Sequence, residues 1–336
     1  MKTAEFFYDL PAGSIAQSAI EPRDAARLLD ARTMGDHRFS DLPSLLRPGD
    51  VVVVNRTRVR RARLLGVKEG SGGRVEALLL RPRGDGSWEA LIRPARRMRA
   101  GTRLRFGDLL AVVTGPVAAG RAILTAEEGD FETAADTTGE IPLPPYFTGR
   151  LDDPERYQTV YSDRIGSAAA PTAGLHFTGA VLDGLARAGV SLVGIDLEIG
   201  LDTFRPIGES DIADHEMHAE RVTVDAEAAA AIEAARAAGG RVVAIGTTVV
   251  RSLEAAAIEQ GAVAPFNGET RLFIIPEYQF RVVDLVVTNF HVPGSTLVVL
   301  VAALVGPRWR EIYGEALRRG YRFLSFGDAM LVERAS

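Results

Sequence analysis

Between about residues 61 and 130 the chain reads as six short strands in quick succession, and this run restricts the fold more than any other feature. "ARLLGVK", "RVEALLLRP", "SWEALIRP", "TRLRF", "LLAVVTG" and "RAILTA" are separated by "EGSGG", "RGDGS", "MRAG" and "GPVAAG". Strands spaced this closely, with glycine-rich turns between them, form a small barrel or sandwich in preference to βα units. On either side the pattern changes. "PRDAARLLDA" (22–31) predicts a helix, and "GDVVVVN" a buried strand after a Gly-Asp turn. Beyond the proline-rich exit "EIPLPPYFTG" (140–149), helical and strand patterns alternate. "TGAVLDGLARAG" precedes "VSLVGIDLEIG", "AEAAAAIEAARAAGG" precedes "RVVAIG", and further strands are expected near 271–275 and 284–290. Such alternation predicts a layered α/β fold. The expected architecture is an α/β domain made of residues 1–60 and 150–336, with a small β-barrel inserted over 61–149.

The insert is also where positive charge collects. Residues 55–106 hold fifteen Arg/Lys against four Asp/Glu, about +11, in a chain whose net charge is −5. The runs "NRTRVRRAR" and "RPARRMR" are its densest parts. Local basic excess most often serves phosphate contacts, so Arg60, Arg61 and Arg63 are candidate RNA-binding residues. The absence of cysteine excludes disulfides, thiolate metal sites and a cysteine nucleophile. "STLVVLVAALVG" (295–306) is too short to span a bilayer and reads as a buried helix. The N-terminus lacks the apolar run of a signal peptide. A cytoplasmic protein with no membrane partner is expected.

Four of the five histidines fall in polar or Gly/Pro-punctuated stretches of the α/β portion: His176, His215, His218 and His291. Loops at strand ends are where open α/β sheets bind ligands. "DHEMHAE" (214–220) approaches the zinc motif H-E-x-x-H, but its second histidine comes one residue early and no third ligand follows at a recognisable spacing. No metal is therefore expected. His218 and Glu220 instead suit the entry to an extended strand, and histidine beside carboxylates suits proton transfer near neutral pH. In "VVAIGTTVVRSLE" (242–254), Thr247 and Thr248 sit where a helix begins, and its free N–H groups would favour a carboxylate or phosphate. Neither a P-loop nor a G-x-G-x-x-G fingerprint is present.

The ordered set of motifs says more. "FFYDLP…IAQ", "RDAARLL", "GDVVVVNRTRVRRARL", "PLPPY", "YQTVYSDRIGSAAAPTAGLHF", "DTFRP", "DHEMHAE", "AIGTTVVRSLE", "VVDLVVTNFHVPGSTL" and "YRFLSFGDAM" run from end to end. Together they resemble the S-adenosylmethionine:tRNA ribosyltransferase-isomerase family of queuosine biosynthesis. The resemblance implies an α/β domain carrying an inserted β-barrel. It also implies a reaction in which S-adenosylmethionine, as a substrate, donates its ribosyl unit. The acceptor is 7-aminomethyl-7-deazaguanine at the wobble position of a tRNA. Rearrangement of the ribose gives epoxyqueuosine and releases adenine and methionine. No metal or redox cofactor is implied, and a monomer acting on tRNA is the working expectation.

That chemistry needs a base beside the sulfonium, a donor for departing adenine, and deprotonation of the acceptor amine. His176, His215, His218, Glu220 and His291 occupy matching motifs as catalytic candidates, with no single role assigned to each. Asn55, Thr57, Arg58, Arg205, Thr247, Thr248, Arg251, Asn289, Ser295, Tyr321 and Asp328 are candidates for holding the methionine carboxylate, ribose or phosphate. Arginine suits bidentate contact with either anion. The chain departs from the family pattern in "LEIGLDTF" (197–204), where Glu198 stands for a histidine and Asp202 for a glycine, and at Glu277 in "PEYQF" (276–280), again for a glycine. These carboxylates keep open a paralogue that gives the ribosyl unit to a non-tRNA acceptor; a separate alternative is an RNA-binding protein whose catalytic site has decayed.

Overall fold

The computed structural model describes every residue except 97, 150, 152, 201–205, 258–260 and 336. Arg205 and Asp202 therefore lie outside the described residues. The chain divides into two compact units, Met1–Arg58 with Pro144–Ser336, and Val59–Leu143.

The first unit is built on a nine-stranded mixed sheet. Its order is Phe266–Thr270, Glu220–Val224, Ser191–Glu198, Val51–Asn55, Val242–Ile245, Leu285–Asn289, Ala329–Glu333, Arg27–Asp30 and Gly35–Arg38. Four central strands, from Ser191–Glu198 through Leu285–Asn289, pair in parallel. The run of four valines explains the centre. Val51 and Val53 face one apolar core while Val52 and Val54 face another, so the strand is buried on both sides. Helices Ala226–Ala237, Thr247–Ala257, Thr296–Val305 and Trp309–Arg318 contribute to the first core. Helix Gly179–Arg187 supplies Val181 and Leu185 to the second.

Two sequence expectations fail here, both by tertiary override of local pattern. The helix expected over 22–31 is a short 3-10 turn, Arg23–Ala25, followed by the strand Arg27–Asp30. Leu28 and Leu29 enter opposite cores, a two-sided burial that a strand provides and a single helical stripe does not. The strand expected near 271–275 lies earlier, at Phe266–Thr270, paired with Glu220–Val224.

The second unit is a closed six-stranded antiparallel barrel. Its strands are Arg63–Lys68, Arg74–Pro82, Trp88–Arg93, Arg103–Phe106, Leu109–Val113 and Arg121–Glu128. Alternate residues such as Val75, Ala77 and Leu79 fill the interior, joined by Phe131, Ala134 and Ala135 of the helix Phe131–Thr138. Closure leaves no free sheet edge. The protein is thus a layered α/β domain with an inserted small β-barrel. Among the described residues no helix is long and apolar enough to cross a membrane.

Candidate functional site

The parallel strands all end on one side of the sheet, and a cleft opens there. That is the edge at which open α/β sheets bind ligands. The strand Val242–Ile245 passes into the helix Thr247–Ala257 through Gly246, whose φ of +90° is open to glycine but strained for other residues. The turn leaves Thr247 and Thr248 on the cleft wall at the helix start. After Leu285–Asn289 the chain returns through Ser295, whose hydroxyl caps the helix Thr296–Val305 by accepting from the Val298 N–H at 3.4 Å. Asn289 braces two loops: its Oδ1 accepts from the Thr172 hydroxyl at 2.8 Å, and its Nδ2 donates to the carbonyls of Leu324 (3.1 Å) and Asp328 (3.4 Å).

The polar lining consists of Tyr146, Thr172, Thr247, Thr248, Thr288, Asn289, His291, Ser295 and Ser325, with no Asp, Glu, Lys or Arg among the described lining residues. Hydroxyls and one amide can bind a ribose or a purine edge without pairing to a fixed charge. At the helix start the N–H groups of Val249 and Val250 donate to the Gly246 carbonyl, and the first N–H groups of a helix, here those of Thr247 and Thr248, are suited to an anion.

The catalytic-candidate histidines occupy three settings. His291 lines the cleft, its Nε2 3.0 Å from the Thr288 hydroxyl and its Nδ1 2.9 Å from the Tyr313 hydroxyl. Burial lowers its pKa to about 3, so the ring is neutral at pH 7. Because both partners are hydroxyls, either tautomer is satisfied. His176 is different. Its Nδ1 lies 3.0 Å from the Ala173 carbonyl and its Nε2 2.9 Å from the Gly327 carbonyl, while the ring stacks on Phe39 at 4.9 Å. Only an imidazolium could donate to both, yet burial lowers its pKa. The ring lies outside the residues lining the main cleft and serves as a backbone clamp between two loops. His215 pairs with Glu209 at 2.9 Å and packs edge-on against Phe273.

His218 contacts a buried Glu220–Arg251 ion pair. Its Nε2 is 3.2 Å from Glu220 Oε1, and Glu220 Oε2 accepts from Arg251 Nη1. Glu220 and Arg251 are 0% and 3% exposed, so this pair is shielded from water. Arg251 also donates Nε to the Leu272 carbonyl at 3.0 Å. It stands one turn beyond Thr247 in the same helix, and the His218 ring lies against Gly200, next in sequence to the cleft residue Ile199. The sequence placed Arg251 among substrate-binding groups; in the structure its charge is directed at Glu220.

Several other candidates are engaged in holding the fold. Asn55 spans to the neighbouring strand through the Leu197 backbone and accepts from Thr57 N and Oγ1. Arg58 pairs with Glu155. Tyr321 donates to Asp36 at 2.7 Å beneath the Arg27 guanidinium, and Asp328 accepts from the backbone N–H groups of Arg27 and Arg322. In the barrel, Arg60 donates Nη1 to both carboxylate oxygens of Glu132 and lies over Trp88, Arg61 donates to the Gly139 carbonyl, and Arg63 bridges Glu76 and Glu140. Glu198 is exposed at the end of its strand, beside Gly166. Among the described residues no cluster of three or more His, Asp or Glu is arranged for a metal ion.

Sequence reasoning missed Tyr146, Thr172, Thr288 and Ser325 as cleft-lining residues. Each sits inside a quoted motif, but a hydroxyl carries no spacing signal of its own, and three separate loops bring them together.

A family model described as "Queuosine biosynthesis protein" matches residues 3–332. The chain is 52% identical over 340 residues to the S-adenosylmethionine:tRNA ribosyltransferase-isomerase of Symbiobacterium thermophilum, covering 99% of this chain and 100% of that protein. It is 50% identical over 341 residues to the protein of the same name from Moorella thermoacetica, with the same coverage. Among solved structures it is similar to the S-adenosylmethionine tRNA ribosyltransferase of Thermotoga maritima, at 35% identity and a TM-score of 0.56, covering 97% of this chain and 99% of that one.

Proposed function

We infer the reaction from a plain fact of kinship: this chain belongs to the queuosine biosynthesis protein family, matched from residue 3 to 332. It is an S-adenosylmethionine:tRNA ribosyltransferase-isomerase, a transferase that uses S-adenosylmethionine as ribosyl donor and tRNA as acceptor. The acceptor group is the aminomethyl substituent of 7-aminomethyl-7-deazaguanine, the product epoxyqueuosine, and the released fragments adenine and methionine. The relatives described are named for the tRNA reaction, which lends no support to a non-tRNA acceptor or a decayed site. A tRNA substrate is in keeping with a cytoplasmic protein.

The observation that supports a role for the cleft is its uncharged, hydroxyl-rich wall at the carboxyl edge of the parallel strands. In this reading the N–H groups at Thr247 and Thr248 take the methionine carboxylate, and Thr288, Asn289 and Ser295 face the nucleoside. Neutral His291, fixed between two hydroxyls, polarises the Thr288 hydroxyl toward the ligand. His218 removes the proton beside the sulfonium. Glu220, fixed by Arg251, holds the tautomer in which Nε2 carries hydrogen and Nδ1 is the acceptor nitrogen. His176 clamps the loops around the cleft and does not touch the reacting atoms. The test is chromatography for adenine after incubation with S-adenosylmethionine and anticodon stem-loops. Adenine appears only with the aminomethyl-bearing stem-loop; adenine formed equally with an unmodified one would refute the acceptor assignment.

A further inference from the structure

The barrel's positive charge is unevenly neutralised, and strand direction places the unneutralised part at one end. The strands Arg63–Lys68, Trp88–Arg93 and Leu109–Val113 run toward this end, and the connections 69–73, 94–102 and 114–120 close it. Among the described residues, its cations without an ion pair are Lys68, Arg74, Arg93, Arg96 and Arg99, while Arg103 and Arg121, which begin strands at the same end, pair with Glu127 and Glu89. Arg74, Arg93, Arg96 and Arg99 are exposed and Lys68 is half-buried. The two acids nearby are already committed, Glu69 to Arg105 at 2.6 Å and Glu76 to Arg63 at 2.8 Å. The opposite end carries Asp85 and Asp108 in its turns.

Described residues of the longest connection are tied to the barrel. Met98 packs on the barrel core. The N–H of Met98 donates to the Ala95 carbonyl at 3.0 Å, the N–H of Thr102 to the Arg99 carbonyl at 3.0 Å, and the N–H of Gly101 to the Val113 carbonyl at 2.9 Å. Among the described residues, the guanidinium groups of Arg93, Arg96 and Arg99 give up no internal salt bridge on meeting an anion. Guanidinium forks match phosphate oxygens bidentately. By contrast Arg60 and Arg63, in the densest run of the sequence, would have to release Glu132, Glu76 and Glu140 first.

We propose that this end of the barrel, centred on Arg93, Arg96 and Arg99 and extended by Lys68 and Arg74, is a contact surface for the phosphate backbone of the tRNA substrate. The proposal rests on the tRNA-modifying reading given above. It separates backbone affinity, carried by the barrel, from chemistry, carried by the cleft of the α/β unit.

The test measures binding of an anticodon stem-loop by fluorescence anisotropy across a salt series, beside adenine release at saturating stem-loop. Each lost phosphate contact removes about 0.7–0.9 from the slope of log affinity against log salt. The variant R93Q/R96Q/R99Q is therefore expected to lower the slope by about 2–3 and to raise the KM for stem-loop about tenfold or more near physiological salt. The kcat at saturation stays within twofold. K68Q/R74Q moves the slope the same way by a smaller step, while R83Q at the other end leaves it unchanged. An unchanged slope in the triple variant overturns the proposal. So does an equal per-charge effect from R83Q, which would mean a diffuse field in place of a surface. If the wild type releases no adenine with any stem-loop, the reaction reading fails separately, and a slope still controlled by Arg93, Arg96 and Arg99 would leave the RNA surface standing.

Discussion

Glu277 is a departure from the family pattern whose consequence can be worked out. It follows Pro276 in a four-residue turn closed by the Tyr278 N–H donating to the Ile275 carbonyl at 3.0 Å, and its φ is +77°. Proline at the second position and positive φ at the third describe a type II turn, which calls for glycine at the third. Left-handed backbone costs a residue with a Cβ about 1–2 kcal/mol. Glycine's greater freedom in the unfolded chain takes back about 0.5–1 kcal/mol of that. The Glu277 side chain is exposed and makes no ion pair among the described residues, so little is lost with it. Glu277→Gly should therefore stabilise the protein by about 0.5–1 kcal/mol, or about 1–4 °C in melting temperature. Urea unfolding should show a higher midpoint with an unchanged slope. Glu277→Ala keeps the Cβ and removes the charge, so it should leave the midpoint near wild type. If alanine stabilised as much as glycine, the carboxylate and not the backbone would be the source of strain, and the argument would fail.

Glu220→Gln should lower adenine release at saturating substrates by about tenfold or more, because positioned acid–base groups contribute at least that much; unchanged kcat would remove His218 and Glu220 from the proton-transfer role. The same substitution strands a cation that is 3% exposed, and breaking a buried pair costs about 3–5 kcal/mol at most when hydrogen bonding is lost as well. A stability loss without any kcat change would mark the ion pair as structural only. His291 governs a pH effect. Its folded pKa lies near 3, below the unfolded value, so between pH 6.5 and pH 3 the unfolded chain binds the extra proton. Stability should fall with pH across that window by up to about 1.4 kcal/mol per unit from this residue, and His291→Asn should show a correspondingly shallower dependence. Equal slopes in the two proteins would mean that the ring is not held neutral.

The periodic features of the sequence were the legible ones. Four consecutive valines identified the central strand, and six short strands with glycine turns identified the barrel, because burial on two faces and alternate burial both leave direct marks on residue order. The helix expected at 22–31 failed because Leu28 and Leu29 answer to partners some three hundred residues away, in Ala329–Glu333. The same limit governs the site. Thr247, Thr248, Asn289, Ser295 and His291 could be singled out from local motifs, and they line one cleft. What a side chain is already paired with was not readable. Arg60 and Arg63 look like an RNA surface in the sequence, but Glu132, Glu76 and Glu140 arrive from elsewhere in the barrel to neutralise them. His176 looks like an acid or base until the carbonyl of Gly327, 151 residues away, takes up its second nitrogen. Glu277 was visible as an oddity, and the turn geometry supplies its cost.

The most direct test of the account follows the donor's atoms. The protein is incubated with an aminomethyl-bearing stem-loop and S-adenosylmethionine isotopically labelled either in the ribose or in the methyl group. Mass spectrometry of the recovered RNA should show the ribose label in the wobble nucleoside, with the methyl label remaining in released methionine. Methyl label in the RNA, with no ribose label, would contradict ribosyl transfer by this chain.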